Sequence, residues 1–290
     1  APAGFRLPDD TRLGRVRLQV ADLSRSRQYY EQVLGMRVLS RADAHAVLGT
    51  QDGATPLVEL HERPGARAVP RRGLLGLYHV AILLPDRAAL GRFLAHLASL
   101  GVPAGMSDHL VSEAVYLQDP DNLGIEVYAD RPRESWMHHA RELAMTTKPL
   151  DARSVVAAAN GEPWTGMPAG TTIGHVHLHV GDIDEGARFY HERLGFDKVV
   201  WSYPGALFLS AGGYHHHLGT NVWARGAPPA GPEDARLLDW EIVLPPGESL
   251  EELVASAGRD GSLVTQDTNS ALLRDPWGTV VRVTSDPSRV

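Results

Sequence analysis

The sequence contains no cysteine, which removes disulfides from consideration. It has no apolar run near 18 residues and no charged-then-apolar pattern at its start, so neither a membrane span nor secretion by signal peptide is expected. Positive charge is also scarce. The 28 Lys and Arg are outnumbered by 35 Asp and Glu, giving a net charge of −7 and a pI near 6.0. No basic surface for nucleic acid or an anionic membrane is expected, which leaves a small-molecule partner and the cytoplasm as default expectations. The opening Ala1-Pro2-Ala3-Gly4 lacks Met, so a processed or trimmed terminus is expected. What the chain does have is 290 residues at 43% hydrophobic content, enough for two domains with their own cores, and 14 histidines whose placement matters more than their number.

The most informative stretch runs from Asp108 to Glu126. Val115-Tyr116-Leu117 reads as a strand, Asp119-Pro120-Asp121-Asn122 as a turn, and Ile125-Glu126-Val127-Tyr128 as a second strand. Such a hairpin can bring Tyr116 close to Glu126. A glutamate flanked by apolar residues in a strand is costly unless paired or bound to a metal.

The chain also repeats itself. Leu13–Val20 matches Ile173–Val180 at an offset of 160, and the match continues through Asp22 with Asp182, Tyr30 with Tyr190, and Leu34-Gly35 with Leu194-Gly195. Each copy reads as an alternating strand, an Asp near a helix start, an amphipathic helix and a Gly stop. Tyr78–Pro85 parallels Leu238–Pro245, and Leu117–Pro120 parallels Leu273–Pro276. The pattern predicts an α+β chain of four βαβββ modules at 13–64, 75–131, 173–225 and 236–285. The connecting segment 132–172 has a short helix expected near Trp136–Ala144.

The Asp108–Glu126 run closely resembles the signature segment of the type I extradiol ring-cleavage dioxygenases of the vicinal oxygen chelate superfamily, whose members include glyoxalases and bleomycin resistance proteins. His109, Val115-Tyr116, Asp119-Pro120 and Glu126 stand in register with that pattern. Asn122 replaces the usual Gly, a mild departure because Asn tolerates the left-handed conformation; Ser107 before the histidine is another. Over nearly the whole chain the sequence is most similar to catechol 2,3-dioxygenases. The resemblance implies a fold in which paired modules form two barrel-like cups, as in the glyoxalase and extradiol dioxygenase fold, with ligands on the first and last strand of each module. Those positions are Arg15 and Glu59, His79 and Glu126, His175 and Asn221, and Asp239 and Arg282.

Charge then argues for the pairing. Pairing module one with two and three with four would offer no set of two histidines and a carboxylate. Pairing modules two and three gives His79, His175 and Glu126, a facial triad with open metal positions. Pairing modules one and four leaves Arg15, Glu59, Asp239 and Arg282, which can neutralise one another. The expectation is one active cup and one degenerate cup, with ring nitrogens of His79 and His175 within about 5 Å, because each metal–nitrogen bond is only about 2.0–2.1 Å.

On this resemblance the triad holds Fe(II), with Mn(II) as the alternative, and O2 is co-substrate to a small aromatic diol. Tyr116 and His109 match residues that contact the bound catecholate. One of His215, His216 and His217 supplies an acid–base group, with His216 preferred and His217 carried beside it. Trp223, Tyr128, Trp201, Tyr203 and Phe208 are candidates for an aromatic wall, as well as for ordinary core positions. His177 and His179 share the face of His175, and Asn221 reads as a supporting polar group; His138 and His139 read as surface residues. Homo-oligomer formation through sheets or degenerate modules stays open. So do three other readings: core histidines bonded to backbone, a glyoxalase-like isomerase, lyase or thiol transferase using a metal without redox chemistry, and a protein that sequesters a small aromatic molecule.

Overall fold

The computed structural model describes residues 1–248, 250–258 and 261–285. Residues 249, 259 and 260 of the fourth predicted module therefore lie outside the described residues. The modules open with the strands Arg12–Val20, Gly76–Leu83, Thr172–His179 and Arg236–Val243. In the first three, an aspartate starts the following helix. Asp22, Asp86 and Asp182 accept the backbone N–H of Arg25, Ala89 and Glu185 at 2.9, 2.7 and 2.9 Å, satisfying donors that a helix start leaves without partners. The helix Arg87–Leu100 stops at Gly101, whose φ of 67° is left-handed and favours glycine.

Two eight-stranded sheets result, one joining the second and third modules and the other the first and fourth. In one, the first strands of the second and third modules lie antiparallel at the centre, with His79 opposite His177 and Val80 opposite Val176. Each of these strands also runs parallel to the last strand of its own module, Gly124–Asp130 or Leu218–Asn221. In the other sheet, Arg12–Val20 lies antiparallel to Arg236–Val243, combining the first and fourth modules. The two sheets are the curled halves of a two-cup α+β fold. Among the described residues, no helix is long and apolar enough to cross a membrane.

One large apolar core joins both sheets and the helices, with Tyr30, Phe93, Tyr190, Phe196 and Trp240 fully buried. Two of these side chains also link modules. The Tyr30 hydroxyl donates to Asp119 at 3.3 Å, and the Tyr190 hydroxyl to Asp275 at 2.8 Å. Each tyrosine sits after the first strand of one module, and each aspartate caps the last turn of the next module, accepting backbone N–H groups of Asp121 and Leu123 or of Trp277 and Thr279. The repeat seen in sequence is thus a repeated latch. Tyr190→Phe is expected to lower stability by about 1–2 kcal/mol, because it leaves a buried acceptor short of one partner; the urea midpoint measures it. An unchanged midpoint would show that the latch adds nothing.

The connecting segment departs from expectation. In place of a helix near Trp136–Ala144 it forms a 3-10 turn at Arg133–Ser135 and a small hairpin of His138–His139 with Glu142–Leu143; a helix comes later, at Ala152–Ala157. The reason lies in its partners. Ala140 turns the hairpin with φ 56°. The Glu142 carboxylate accepts the backbone N–H groups of Trp201 and Ser202 at 2.5 and 2.7 Å, tying the segment to the third module. His138 and His139 are exposed.

Candidate metal centre

Sheet register assembles the site. Tyr116 lies opposite Glu126, Glu126 beside Ala81, and Ala81 opposite His175, a row across four adjacent strands. Small Ala81 leaves space in this row. His79, two residues earlier on the same strand, projects on the same side as Ala81. The Nε2 atoms of His79 and His175 lie 2.9 and 3.2 Å from the same carboxylate oxygen, Oε2 of Glu126. All three residues are buried, and their candidate ligand atoms lie within 4.8 Å of one another.

Asn122 serves this geometry from the turn that precedes the Glu126 strand. It takes φ 62°, the left-handed conformation for which Gly would be usual. The Asp119 side chain fixes the same turn by accepting backbone N–H groups from Asp121 and Leu123.

The three donors fit a divalent cation. Ligands at right angles with bonds of about 2.1 Å stand about 3.0 Å apart, close to the two His–Glu separations. Although His79 Nε2 is near the carboxylate, the approach is not that of a hydrogen bond, and this buried nitrogen has no hydrogen-bond partner. Burial alone would raise the Glu126 carboxyl, but the charge and hydrogen bond of His175, and then the close approach of His79, hold it well below its ordinary value. Burial pushes His175 down to about 4, against the pull of Glu126. An ionised carboxylate and a neutral imidazole are the forms that bind metal.

His79, Glu126, His175, His109, Tyr116 and His216 all line one cavity of about 240 Å³. His109 Nδ1 is 2.9 Å from the Thr146 carbonyl, so this nitrogen carries the proton and Nε2 accepts from the Tyr116 hydroxyl at 2.6 Å. Burial, followed by the Glu126 charge, keeps the Tyr116 hydroxyl well above its ordinary pKa, and it remains a proton donor.

The histidine run resolves in the same manner. His215 Nε2 donates to Asp130 at 2.8 Å, leaving its Nδ1 to accept from His216 Nδ1 at 2.7 Å. His216 is then unprotonated at Nε2, and its ring packs 4.0 Å from that of His175, centroid to centroid. Burial lowers the His216 pKa well below its ordinary value.

His217 is not brought into this cavity. It lines a separate recess with Arg12 and Arg133, and its Nδ1 accepts the Ala211 N–H and lies 3.1 Å from the Ser210 hydroxyl. The chain bends at His215 and His217, just before the strand Leu218–Asn221, and this places the His216 and His217 side chains in different recesses. Tyr203, Phe208 and Trp223 line the metal-site cavity. Tyr128 instead bonds the Tyr214 hydroxyl at 2.7 Å beneath it, and Trp201 is half exposed. His177 also lines the cavity, accepting from Asn221 at 3.0 Å, while His179 donates to the same amide. Sequence reading missed Asp130, Met145, Thr146 and Thr147.

These buried neutral histidines make stability pH-dependent. His217 is pushed down to about 3 by burial, below the value near 6.5 that it takes in the unfolded chain. Its contribution is present above pH 6.5 and is lost as pH falls towards 3, on the order of 3 kcal/mol by pH 4. His175, His177 and His216 act with the same sign. Asp119 and Asp275, raised by burial to about 7 and about 6, oppose them. Four groups against two predict that the metal-free protein unfolds on the order of 10 °C lower at pH 4.5 than at pH 7; calorimetry across that range tests the sign.

The equivalent positions of the other sheet carry ion pairs. Arg15 and Arg17 meet Glu59 at 3.4 and 3.2 Å, and Arg17 and Arg282 meet Asp239 at 2.6 and 3.2 Å. Arg17 is an addition to the set expected from sequence.

Residues 12–127 and 172–283 match the family model of the Glyoxalase/Bleomycin resistance protein/Dioxygenase superfamily, and the chain belongs to that superfamily. Over 273 residues it is 46% identical to Catechol-2,3-dioxygenase of Bacillus subtilis (strain 168), covering 92% of this chain and 95% of that protein. Among solved structures, one from Bacillus subtilis subsp. subtilis str. 168 aligns with a TM-score of 0.65 at 14% identity, over 98% of this chain and 87% of the other. Glyoxalase I from Zea mays aligns with a TM-score of 0.56 at 18% identity, over 95% and 92%. At these identities the structural likenesses speak for the fold alone.

Proposed function

We propose that this chain is an extradiol dioxygenase that cleaves the ring of a catechol beside its vicinal hydroxyls, inserting both atoms of O2. The observation that carries this reading is the buried His79–Glu126–His175 constellation in one cavity with the Tyr116–His109 pair. The 46% identity to a protein named Catechol-2,3-dioxygenase supports it. The three residues would hold Fe(II), with Mn(II) as the alternative, and leave coordination positions open. When bound, the metal supplies the path by which electrons pass from catecholate to dioxygen.

The chain's own residues would bind the diol, orient it and move its proton. His216 Nε2, held unprotonated by the Asp130–His215 link, takes a catechol hydroxyl proton and returns it during ring opening. The Tyr116 oxygen, with its own proton committed to His109, accepts a hydrogen bond from the diol. Phe208 and Tyr203 form part of the cavity wall beside a planar ring. On this reading the second and third modules form the active cup. The first and fourth form a degenerate one, in which ion pairs replace a metal.

The test is anaerobic reconstitution with Fe(II), then catechol and air. A yellow ring-fission product that requires Fe(II) and disappears in His175→Ala is the expected result. Stoichiometric metal with no product from several catechols would favour a non-redox metalloenzyme.

A further inference from the structure

The connecting segment does more than join modules: residues 142–148 form a strap pinned at three places. Glu142 holds the backbone N–H groups of Trp201 and Ser202, the Thr146 carbonyl holds His109, and Lys148 exchanges backbone hydrogen bonds with Asp108, both at 2.9 Å. Between these pins, Met145 packs against the apolar cluster that contains Phe208 and lines the cavity. Thr147 does so too, its hydroxyl 3.3 Å from that of Tyr203.

Resting on the catechol reading above, we infer that the substrate is a single-ring catechol with uncharged substituents, and that this strap sets the selectivity. Among the described residues lining the cavity there is no Lys or Arg, and the only carboxylate is Glu126 of the triad. The nearby Arg131 is engaged with Asp108 and Glu113 at 2.8 and 3.2 Å. A ring carboxylate turned toward Met145, Tyr203 and Phe208, the buried and half-buried part of the wall, would lose its hydration without gaining a cation. The volume of about 240 Å³ also falls below the roughly 300–1,000 Å³ of most ligand pockets, which favours one ring over two.

The test titrates metal-loaded protein with catechol, 4-methylcatechol, 3,4-dihydroxybenzamide and 3,4-dihydroxybenzoate without oxygen, following heat of binding. The benzamide controls for size without charge. The inference expects the first three to bind within about tenfold of one another and the benzoate about a hundredfold or more weaker than the benzamide. Met145→Arg is expected to narrow that gap at least about tenfold by supplying a counter-charge; Thr147→Lys replaces it if the first variant does not fold. Equal binding of benzoate and benzamide would overturn the inference while leaving the catechol reading in place. So would a gap unchanged in a folded variant. Stoichiometric metal without binding of any of the four would overturn both readings.

Discussion

Glu126→Gln is expected to abolish stoichiometric metal binding while leaving the fold intact. The side chain is close to isosteric, and it sits in a sheet whose registers on both sides do not depend on its charge. What it loses is the only carboxylate of the constellation, the oxygen on which both histidine nitrogens converge. Replacing a partner that merely supports a ligand commonly costs about 10–100-fold in metal affinity, so removing a ligand should cost at least about a hundredfold. Removal of the buried anion should also change the metal-free protein little, because its desolvation opposes its attraction to the imidazoles. The separation is measurable: metal content after dialysis should collapse, and the thermal midpoint should lose its metal dependence while the metal-free midpoint stays within a few degrees. Retained tight metal binding would dissociate Glu126 from the centre.

The success and failure of the sequence reading have a common physical origin. A strand presents alternate residues to one face, so His79, Glu126 and His175 could be placed by register once the modules were aligned. Repetition revealed the Asp helix starts and paired Tyr30 with Tyr190 before their partners were known. The connecting segment has no such period. Its approach to the cavity depends on Glu142 finding two backbone donors 59 and 60 residues away and on the Thr146 carbonyl reaching His109, contacts that leave no local pattern. Asp130 was hidden for another reason: it lies four residues beyond Glu126 on the same strand, but its partner His215 is 85 residues later. A run of three histidines indicates that their side chains cannot all face one way, without indicating which faces the metal.

That last ambiguity leads to the second large effect. His216→Ala is expected to lower kcat by about 10²–10⁴-fold, the usual range for loss of a positioned acid–base group, with catechol affinity changed much less. His217→Ala, altering a residue in the other recess, should leave turnover near that of the parent protein. Asp130→Asn tests the chain of tautomers that holds His216 Nε2 open. Asparagine can still accept from His215, but without the negative charge, and an expected loss of about 10–100-fold follows from weakened support of the neighbouring imidazole. The sign of the pH response distinguishes this role from packing. An anion linked through His215 favours the protonated form of His216, so its removal should lower the pKa at which His216 loses base function and shift the acidic limb of kcat to lower pH. A uniform loss with an unmoved limb would mean that Asp130 only supports the surrounding structure, including Tyr214, whose hydroxyl reaches it at 3.3 Å.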